Sequence, residues 1–338
     1  MDEHLHTKYV LPDRTYQGMV RSELRKKAEG AGFSGHRLGE VEIVVAEITS
    51  NLVKHTDKGG FVLVRVLRGA SAGIEFIAID GGPGMNKPVK MMEDGHSTSN
   101  TLGQGLGAVR RLSDVFDLYS LPSWGTVLFS RIYLDKKTVV PQSRMEVNAI
   151  NVCKANEQLC GDQWWAESDG KKCRFAMIDG LGHGAFANAA AKEAVDAFRH
   201  APGATPAEQL REMHLRLKKT RGAVVTVAYL DLINQQLRYS GVGNITMKIV
   251  SPSRTQGCLS YNGIVGHAMP ATLNNHNVVL DRKTDLLVMH SDGLSARWDL
   301  QKYPAIYQHH GTIICGVLYK DFDRKNDDST VLVAKFDK

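Results

Sequence analysis

Several aspartates in the second half of the sequence stand beside apolar runs, where they could bind metal ions. Asp179 lies in MIDGLGHG, Asp292 in VMHSDG and Asp162 in CGDQWW, and Asp327 and Asp328 lie in KNDDSTVLV. An aspartate before glycine usually marks a turn, which explains each of these residues taken alone. Together they pose a problem, because two carboxylates about 4 Å apart repel by roughly 4 kcal/mol at an effective dielectric near 20. Divalent cations or protonation must relieve that repulsion if these residues meet in the fold.

The types of residue available narrow the choice of metal. Carboxylate oxygens favour Mg²⁺ or Mn²⁺ over zinc, and the sequence shows no cluster of cysteines or histidines that would favour zinc. The 5 cysteines are widely spaced and form no CxxC pair. An odd number of dispersed cysteines predicts reduced thiols in a cytoplasmic protein and no disulfide framework.

A second group of residues, in the first half, could bind a nucleotide. Glu47 and Asn51 are four residues apart in a helical pattern, so their side chains project from the same side of the helix. Asp80 ends an apolar run before GGPG, where a carboxylate could accept the exocyclic N–H of adenine. The segment LGQGLGAVRRL then places alternating glycines before a helix, and such a helix N-terminus favours anions. A polar face explains the first pair alone and a turn explains the glycines alone, but their order together favours a nucleotide site.

The elements that must position these residues form two groups. GHRLGEVEIVVAEITSNLVKH has helical periodicity, GFVLVRVLRG and GIEFIAID are typical strands, AVRRLSDVFDLYS begins as a helix, and GTVLFSRIYL closes as a strand. This order predicts a sheet with helices on one face. The polar segment DKKTVVPQSRMEV reads as a linker. The domains are therefore predicted at 1–135 and 147–338, with the linker at 136–146.

The second half predicts an α/β sandwich of antiparallel strands. Strand-like runs recur from CRFAMID to STVLVAKF, and two helices are predicted in FANAAAKEAVDAFRHA and TPAEQLREMHLRLKKT. Thr205 followed by Pro206 fits the beginning of the second helix.

Composition excludes some classes of function. The net charge of +6 comes from dispersed lysines and arginines without interleaved aromatics, so we predict no nucleic-acid partner. No apolar run approaches the roughly 20 residues that span a bilayer, and we predict no membrane partner. The polar beginning MDEHLHTKYV is unlike a signal peptide, which again indicates a cytoplasmic protein.

The motifs of the first half carry a family resemblance. EITSN, AIDGGPG and MEDGHSTSNTLGQGLGAVRRLSDVFDL resemble the GHKL ATP-binding domains, which are Bergerat-type α/β sandwiches, and within them the serine/threonine switch kinases of bacterial anti-sigma and stressosome systems. The resemblance implies that Asn51 holds Mg²⁺ on the ATP phosphates, that Asp80 binds adenine with Thr126 behind it, and that Glu47 orients or deprotonates the substrate hydroxyl. It implies a nucleotide pocket shaped by Gly84, Gly103, Gly105 and Gly107.

Histidine kinases share this ATP-binding fold and are the alternative. They need a helical dimerisation segment that carries the phosphorylated histidine. About forty residues precede the Glu47 helix, without a long heptad pattern, so the switch kinases are the better match.

The aspartates of the second half resemble the metal-dependent protein phosphatases of the 2C type, closest to the bacterial SpoIIE-like branch, whose fold is an α-β-β-α sandwich. The resemblance implies two Mn²⁺ or Mg²⁺ ions that activate a water molecule. Their ligands would be Asp162, Asp179, the Gly180 carbonyl, Asp292 and Asp327, with Asp327 preferred over Asp328.

Two departures from that family stand out, and one residue stays ambiguous. Cys160-Gly161-Asp162 replaces the more usual Gly-Gly-Asp, and no arginine early in the domain matches the phosphate-binding arginine of eukaryotic members. His183 is either a general acid beside the metals or a local contact at the beginning of a helix.

These features predict a bifunctional switch protein of a bacterial partner-switching pathway. The N-terminal domain would phosphorylate serine or threonine on a STAS-domain partner, and the C-terminal domain would hydrolyse the phosphate. Tethering would raise the effective concentration of one site near the product of the other. Alternatively, the N-terminal domain only binds ATP to hold a STAS protein, a sigma factor or a stressosome component, or to gate the phosphatase. A third alternative is an inactive phosphatase fold that serves as a scaffold.

Overall fold

The computed structural model describes residues 4–54, 56, 59–86, 105–136, 138, 144–200 and 205–336. The chain separates into two compact units, Met1–Pro141 and Gln142–Lys338. Most of the predicted linker (137 and 139–143) lies outside the described residues, and the first strand of the second unit begins at Met145. Within the described part of the chain, no helix is both long and apolar enough to cross a membrane.

The first unit is a five-stranded antiparallel sheet with helices packed on one face. The sheet order is β1-β2-β3-β5-β4. One apolar stripe of α2, which includes Val41, Val45 and Ile48, packs on the sheet in a single core, as its periodicity predicts. In chain order the elements are β1 (Thr7–Leu11), α1 (Thr15–Gly30), α2 (Gly35–Lys54), β2 (Gly60–Leu67), β3 (Gly73–Asp80), α3 (Gly105–Leu112), β4 (Val115–Leu121) and β5 (Gly125–Tyr133).

Three of these elements are absent from the sequence prediction. β1 and α1 precede the Glu47 helix, and β4 forms from VFDLYS, which follows α3 without a glycine or proline to separate them. The break comes instead at Ser113, whose hydroxyl donates a hydrogen bond to the Val109 carbonyl, and the chain then pairs antiparallel with β5. Tertiary pairing with β5 therefore decides the conformation of this segment.

The second unit is an α-β-β-α sandwich, as predicted. Its two antiparallel sheets have the orders β13-β10-β9-β8-β7 and β12-β11-β14-β15-β6, and an apolar core that includes Phe175, Met247 and Leu332 lies between them. Helices α4 and α5 cover the first sheet, and α6 packs on β6 and β15. The strands are β6 (Met145–Val152), β7 (Asp162–Ser168), β8 (Lys172–Gly180), β9 (Ala223–Asp231), β10 (Gln236–Val242), β11 (Thr246–Ser251), β12 (Arg254–Gly257), β13 (His276–Val279), β14 (Leu286–His290) and β15 (Ser329–Phe336). The helices are α4 (Gly184–His200), α5 (Pro206–Leu217) and α6 (Gly311–Phe322).

The beginning of α5 confirms the predicted cap. The Thr205 hydroxyl accepts a hydrogen bond from the Glu208 N–H, and the Glu208 carboxylate accepts one from the Thr205 N–H at 2.9 Å. This capping box satisfies two backbone donors that the first helical turn leaves open.

Candidate functional site

Five carboxylates meet at one end of the two-sheet sandwich. Asp162 begins β7 and lies directly opposite Asp179, near the end of β8, in the strand register. Asp292 follows the end of β14 by two residues, and Asp327 and Asp328 immediately precede β15. The fold thus brings together all four acidic segments that the sequence singles out.

The electrostatics of this cluster favour the protonated form of two carboxyl groups as long as no cation is bound. Burial raises the pKa of Asp162 to about 8, against a hydrogen bond from Ser291 that lowers it, and the nearby Asp328 raises it further. Burial also raises the pKa of Asp179 to about 9, and the other carboxylates of the cluster add to that shift. Carboxylates in such surroundings either stay protonated or bind cations, and all of these donors are oxygens. The cluster therefore fits divalent metal ions of the Mg²⁺ or Mn²⁺ type.

The two adjacent aspartates of NDDST have different surroundings. Asp328 is buried, and its two carboxylate oxygens accept hydrogen bonds from the N–H groups of Lys154 and Gly161, each at 2.7 Å. Asp327 is less buried, and its Oδ1 accepts one hydrogen bond, from the Asp328 N–H at 2.9 Å. These contacts favour Asp327 as the metal ligand, while Asp328 holds the neighbouring loops together. The choice of Asp327 stays a prediction.

Gly180 lies where no side chain fits. A Cβ at this position would come within 2.2 Å of the Ala187 carbonyl oxygen, because the first turns of α4 pack against the end of β8. The Gly180 N–H donates a hydrogen bond to the Gly161 carbonyl at 3.0 Å. The two segments that carry Asp162 and Asp179 are therefore held together by their backbones.

The sequence did not reveal the polar residues that support the cluster. The Ser291 hydroxyl donates a hydrogen bond to Asp162 Oδ2 at 2.5 Å and accepts one from the Thr330 N–H. The Asn244 amide donates to Asp292 Oδ2 at 2.9 Å. Asn244 follows the end of β10, so the same strand-end pattern that marked the aspartates could have pointed to it.

His183 contacts a carboxylate outside the acidic cluster. Its Nδ1 lies 2.7 Å from Glu157 Oε1, and its side chain is about half exposed. This contact supports the local role at the beginning of a helix over the general acid.

An expectation of the sequence needs correction, since two cysteines do come together. Cys153 and Cys160 lie beside Asp328, and the sulfur atoms and a carboxylate oxygen are all within 4.8 Å of one another. The cluster is not visible in the sequence because its members come from the two ends of the β6–β7 loop and from the residue before β15.

The raised pKa values predict how the stability of the metal-free protein depends on pH. The carboxyl groups of Asp162 and Asp179 bind protons more tightly when folded than when unfolded, where their pKa is near 3.8. The free energy of unfolding should therefore fall as the pH rises from about 4 to about 9. Because bound cations relieve this penalty, saturating Mn²⁺ should raise the melting temperature by about 5–10 °C at pH 8 and by less at pH 5. Differential scanning fluorimetry with and without Mn²⁺ measures both effects, and an equal shift at the two pH values would contradict the prediction.

Three of the predicted nucleotide residues, Asp80, Gly84 and Thr126, lie together at the end of β3. Asp80 ends β3 opposite Thr126 of β5, and its Oδ1 accepts a hydrogen bond from the Gly82 N–H at 2.8 Å. The Thr126 hydroxyl lies 3.0 Å from that of Ser120. Gly84 has φ of +69°, and a Cβ there would lie 1.8 Å from the Leu121 carbonyl oxygen, so only glycine fits. The backbone therefore turns tightly beside Asp80.

The helix that carries Glu47 and Asn51 reaches the same region. A Cβ at Gly60 would lie 2.7 Å from Leu52 Cδ2 and 3.3 Å from the Asp80 Cβ, so the last turn of α2 lies close to Asp80. A Cβ at Gly105 would lie 2.5 Å from Glu47 Oε2, which puts this carboxylate at the N-terminus of α3.

Two of the three glycines in the predicted phosphate loop lie within the described residues. Gly105 begins α3 and Gly107 is buried in its first turn, while Gly103 lies outside the described residues. The first N–H groups of a helix have no acceptor within the helix, so the N-terminus of α3 can bind an anion. A phosphate site at this helix N-terminus and adenine binding at Asp80 stay predictions.

Comparison with known proteins gives matches to both halves of the chain. The family model described as stage II sporulation protein E (SpoIIE) matches residues 169–337, and that described as a histidine kinase-like ATPase domain matches residues 11–129. The serine/threonine-protein kinase RsbT of Bacillus subtilis (strain 168) is 36% identical over 102 residues, which cover 30% of this chain and 77% of RsbT.

The second half is also similar to a phosphatase from the same organism. The phosphoserine phosphatase RsbX of Bacillus subtilis (strain 168) is 24% identical over 143 residues, which cover 42% of this chain and 71% of RsbX. A crystal structure of RsbX in complex with magnesium has a TM-score of 0.52 and 21% identity, and the match covers 59% of this chain and 98% of RsbX. This structural similarity concerns the fold.

Proposed function

Because the chain belongs to the stage II sporulation protein E (SpoIIE) family and carries a histidine kinase-like ATPase domain before that region, we propose that it is a two-domain switch enzyme. The second unit would hydrolyse phosphoserine or phosphothreonine in a partner protein. The first unit would use Mg-ATP to phosphorylate the same partner or a neighbour in the pathway.

The convergence of the acidic cluster is the observation that carries the phosphatase half of this proposal. Asp162 and Asp179 have strongly raised pKa values because they are buried beside other carboxylates. Asp162, Asp179, the Gly180 carbonyl, Asp292 and Asp327 would hold two Mn²⁺ or Mg²⁺ ions. Bound ions of this type supply Lewis-acid activation of a water molecule for attack on phosphorus. The similarity to RsbX, named as a phosphoserine phosphatase, supports this substrate class.

The residues around the metals would keep the ligands in place. Ser291 donates to one oxygen of Asp162 and Asn244 to one oxygen of Asp292, so each aspartate keeps its second oxygen for a cation. Such supporting hydrogen bonds orient ligands and usually affect metal affinity by 10- to 100-fold. Asp328 would hold the β6–β7 loop against the site through its two backbone contacts.

The kinase half rests on the nucleotide site and on the similarity to RsbT. Asp80 would accept the adenine amino group, with Thr126 behind it, and Gly84 would allow the backbone to approach the base. Asn51 would hold Mg²⁺ on the phosphates, which would bind at Gly103, Gly105 and Gly107. Glu47 of α2, whose carboxylate lies beside Gly105 at the N-terminus of α3, would orient or deprotonate the hydroxyl of the substrate.

The partner in this proposal is a small STAS-domain protein of a stressosome-like pathway. The similarity of the two halves to a serine/threonine-protein kinase, RsbT, and a phosphoserine phosphatase, RsbX, of one organism supports it. A domain that consumes ATP works where ATP is available, so we propose a cytoplasmic location.

One experiment tests both halves of the proposed function. The full chain is used to capture proteins from lysate with Mg-ATP present, and phosphosites on the captured protein are mapped by mass spectrometry. We expect a STAS-domain protein with a serine or threonine that gains phosphate with Mg-ATP and loses it when ATP is removed and Mn²⁺ is added. Capture without any change in phosphorylation would instead support the alternative, in which the first domain only binds ATP and its partner.

A further inference from the structure

Two thiols face each other beside the acidic cluster. Cys153 follows the last residue of β6, and Cys160 precedes β7 by two residues. Their sulfur atoms lie within 4.8 Å of each other. Cys160 is buried and also donates to Asn151 Oδ1 at 3.0 Å, whereas Cys153 is partly exposed. The pair is therefore close enough to react and accessible to a small oxidant from the Cys153 side.

The backbone after each cysteine is fixed to the same carboxylate. The Lys154 N–H donates to Asp328 Oδ1 and the Gly161 N–H donates to Asp328 Oδ2, both at 2.7 Å. Asp328 thus holds the two ends of the β6–β7 loop side by side. This arrangement keeps the two thiols close together, so forming a bond between them costs little loop entropy.

The same group could bind a soft metal, but its number of ligands favours a disulfide. Within the described residues the group offers two sulfurs and one carboxylate oxygen, which is one ligand fewer than the four of a structural zinc site. A disulfide needs no further ligand and requires only that the sulfurs approach to about 2.05 Å. We propose that Cys153 and Cys160 form a reversible disulfide that lowers the activity of the phosphatase, an inference that rests on the proposed phosphatase function.

Hydrogen peroxide would supply the oxidising equivalents. The more exposed Cys153 would attack one peroxide oxygen, forming a sulfenic acid and releasing one water molecule. The Cys160 sulfur would then displace the sulfenic oxygen, forming the S–S bond and releasing a second water molecule. In total, two thiols and one peroxide give one disulfide and two waters, and a thiol reductant reverses the reaction.

Forming this disulfide should disturb the metal ligands because the backbone at Cys160 and Gly161 is held by close contacts. A Cβ at Gly161 would lie 2.9 Å from the Ala187 Cβ, and the Gly161 carbonyl accepts a hydrogen bond from the Gly180 N–H at 3.0 Å. The Cys160 carbonyl accepts from Asn188 at 2.7 Å. A shift of Cys160 toward Cys153 must therefore move Gly161, the neighbouring Asp162 and the end of β8.

The test uses the full-length protein, reduced, freed of reductant and then treated with hydrogen peroxide. Trypsin cleaves after Lys154, so the disulfide would join the peptides 145–154 and 155–171 in a digest made without reductant. We expect this linked pair to accumulate while Mn²⁺-dependent hydrolysis of a phosphoserine peptide falls at least about tenfold. Dithiothreitol should release the peptides and restore the activity.

Two serine variants complete the design. Cys153→Ser should keep its activity in peroxide, and Cys258→Ser, a control at a half-buried thiol of the same unit, should stay as sensitive as wild type. The inference is wrong if the linked peptides do not form, if they form without loss of activity, or if Cys153→Ser is inactivated like wild type. A reduced wild-type protein without any phosphatase activity would instead refute the proposed function, and the peptide measurement would still report on the disulfide.

Discussion

Asp179→Asn is expected to lower kcat/KM for Mn²⁺-dependent hydrolysis of a phosphoserine peptide by at least about 1000-fold. The substitution keeps the size of the side chain but removes the charge of the carboxylate that faces the other acids of the cluster. Losing a metal ligand removes several kcal/mol of transition-state stabilisation, and about 4 kcal/mol corresponds to a factor of 1000. Steady-state kinetics with and without Mn²⁺ measure the effect.

Asp169→Asn is the matched control for this prediction. Asp169 also precedes a glycine at a strand end of the same unit, but it is exposed and its Oδ1 accepts hydrogen bonds from the Lys171 and Lys172 N–H groups. The phosphatase activity of the Asp169→Asn variant should stay within about twofold of wild type. The metal-free Asp179→Asn protein should melt no lower than wild type, because a buried acid is lost, and its stabilisation by Mn²⁺ should shrink. Equal hydrolysis by Asp179→Asn and wild type would refute the metal assignment.

Glu47→Ala is expected to abolish phosphate transfer while leaving ATP binding largely intact. The Glu47 carboxylate lies beside Gly105 at the N-terminus of α3, and Glu47 is not among the residues proposed to hold adenine. General-base catalysis is usually worth about 100- to 10,000-fold, so transfer of labelled phosphate from ATP to the partner should fall by at least about 100-fold. Fluorescent-nucleotide titration measures binding, and a radiolabel assay measures transfer.

Two further variants separate catalysis from binding in this experiment. Asp80→Asn should weaken ATP binding by at least about tenfold, because it loses a charged hydrogen-bond acceptor. Glu42→Ala removes an acid from the exposed face of the same helix, where it pairs with Arg25, and should change neither property. If Glu47→Ala alters neither transfer nor signalling, the first domain is a binding module and the phosphatase is the only enzyme.

The amino-acid sequence alone determined which residues can take part in the predicted metal and nucleotide sites. Apolar periodicity indicated the helix of Glu47 and Asn51, and strand-end aspartates before glycine indicated Asp80, Asp179 and Asp292. These signals are local, since helix period, turn chemistry and capping depend on residues a few positions apart. For the same reason the cap formed by Thr205 is visible without a structure.

Only the tertiary structure decided which of these residues meet. Antiparallel register sets Asp162 opposite Asp179, and two backbone donors distinguish Asp328 from Asp327. Cys153 and Cys160 lie close together, and Glu47 lies beside Gly105, because sheet pairing and helix packing bring their segments together. Such contacts depend on how whole strands and helices align, and no short stretch of sequence encodes that alignment.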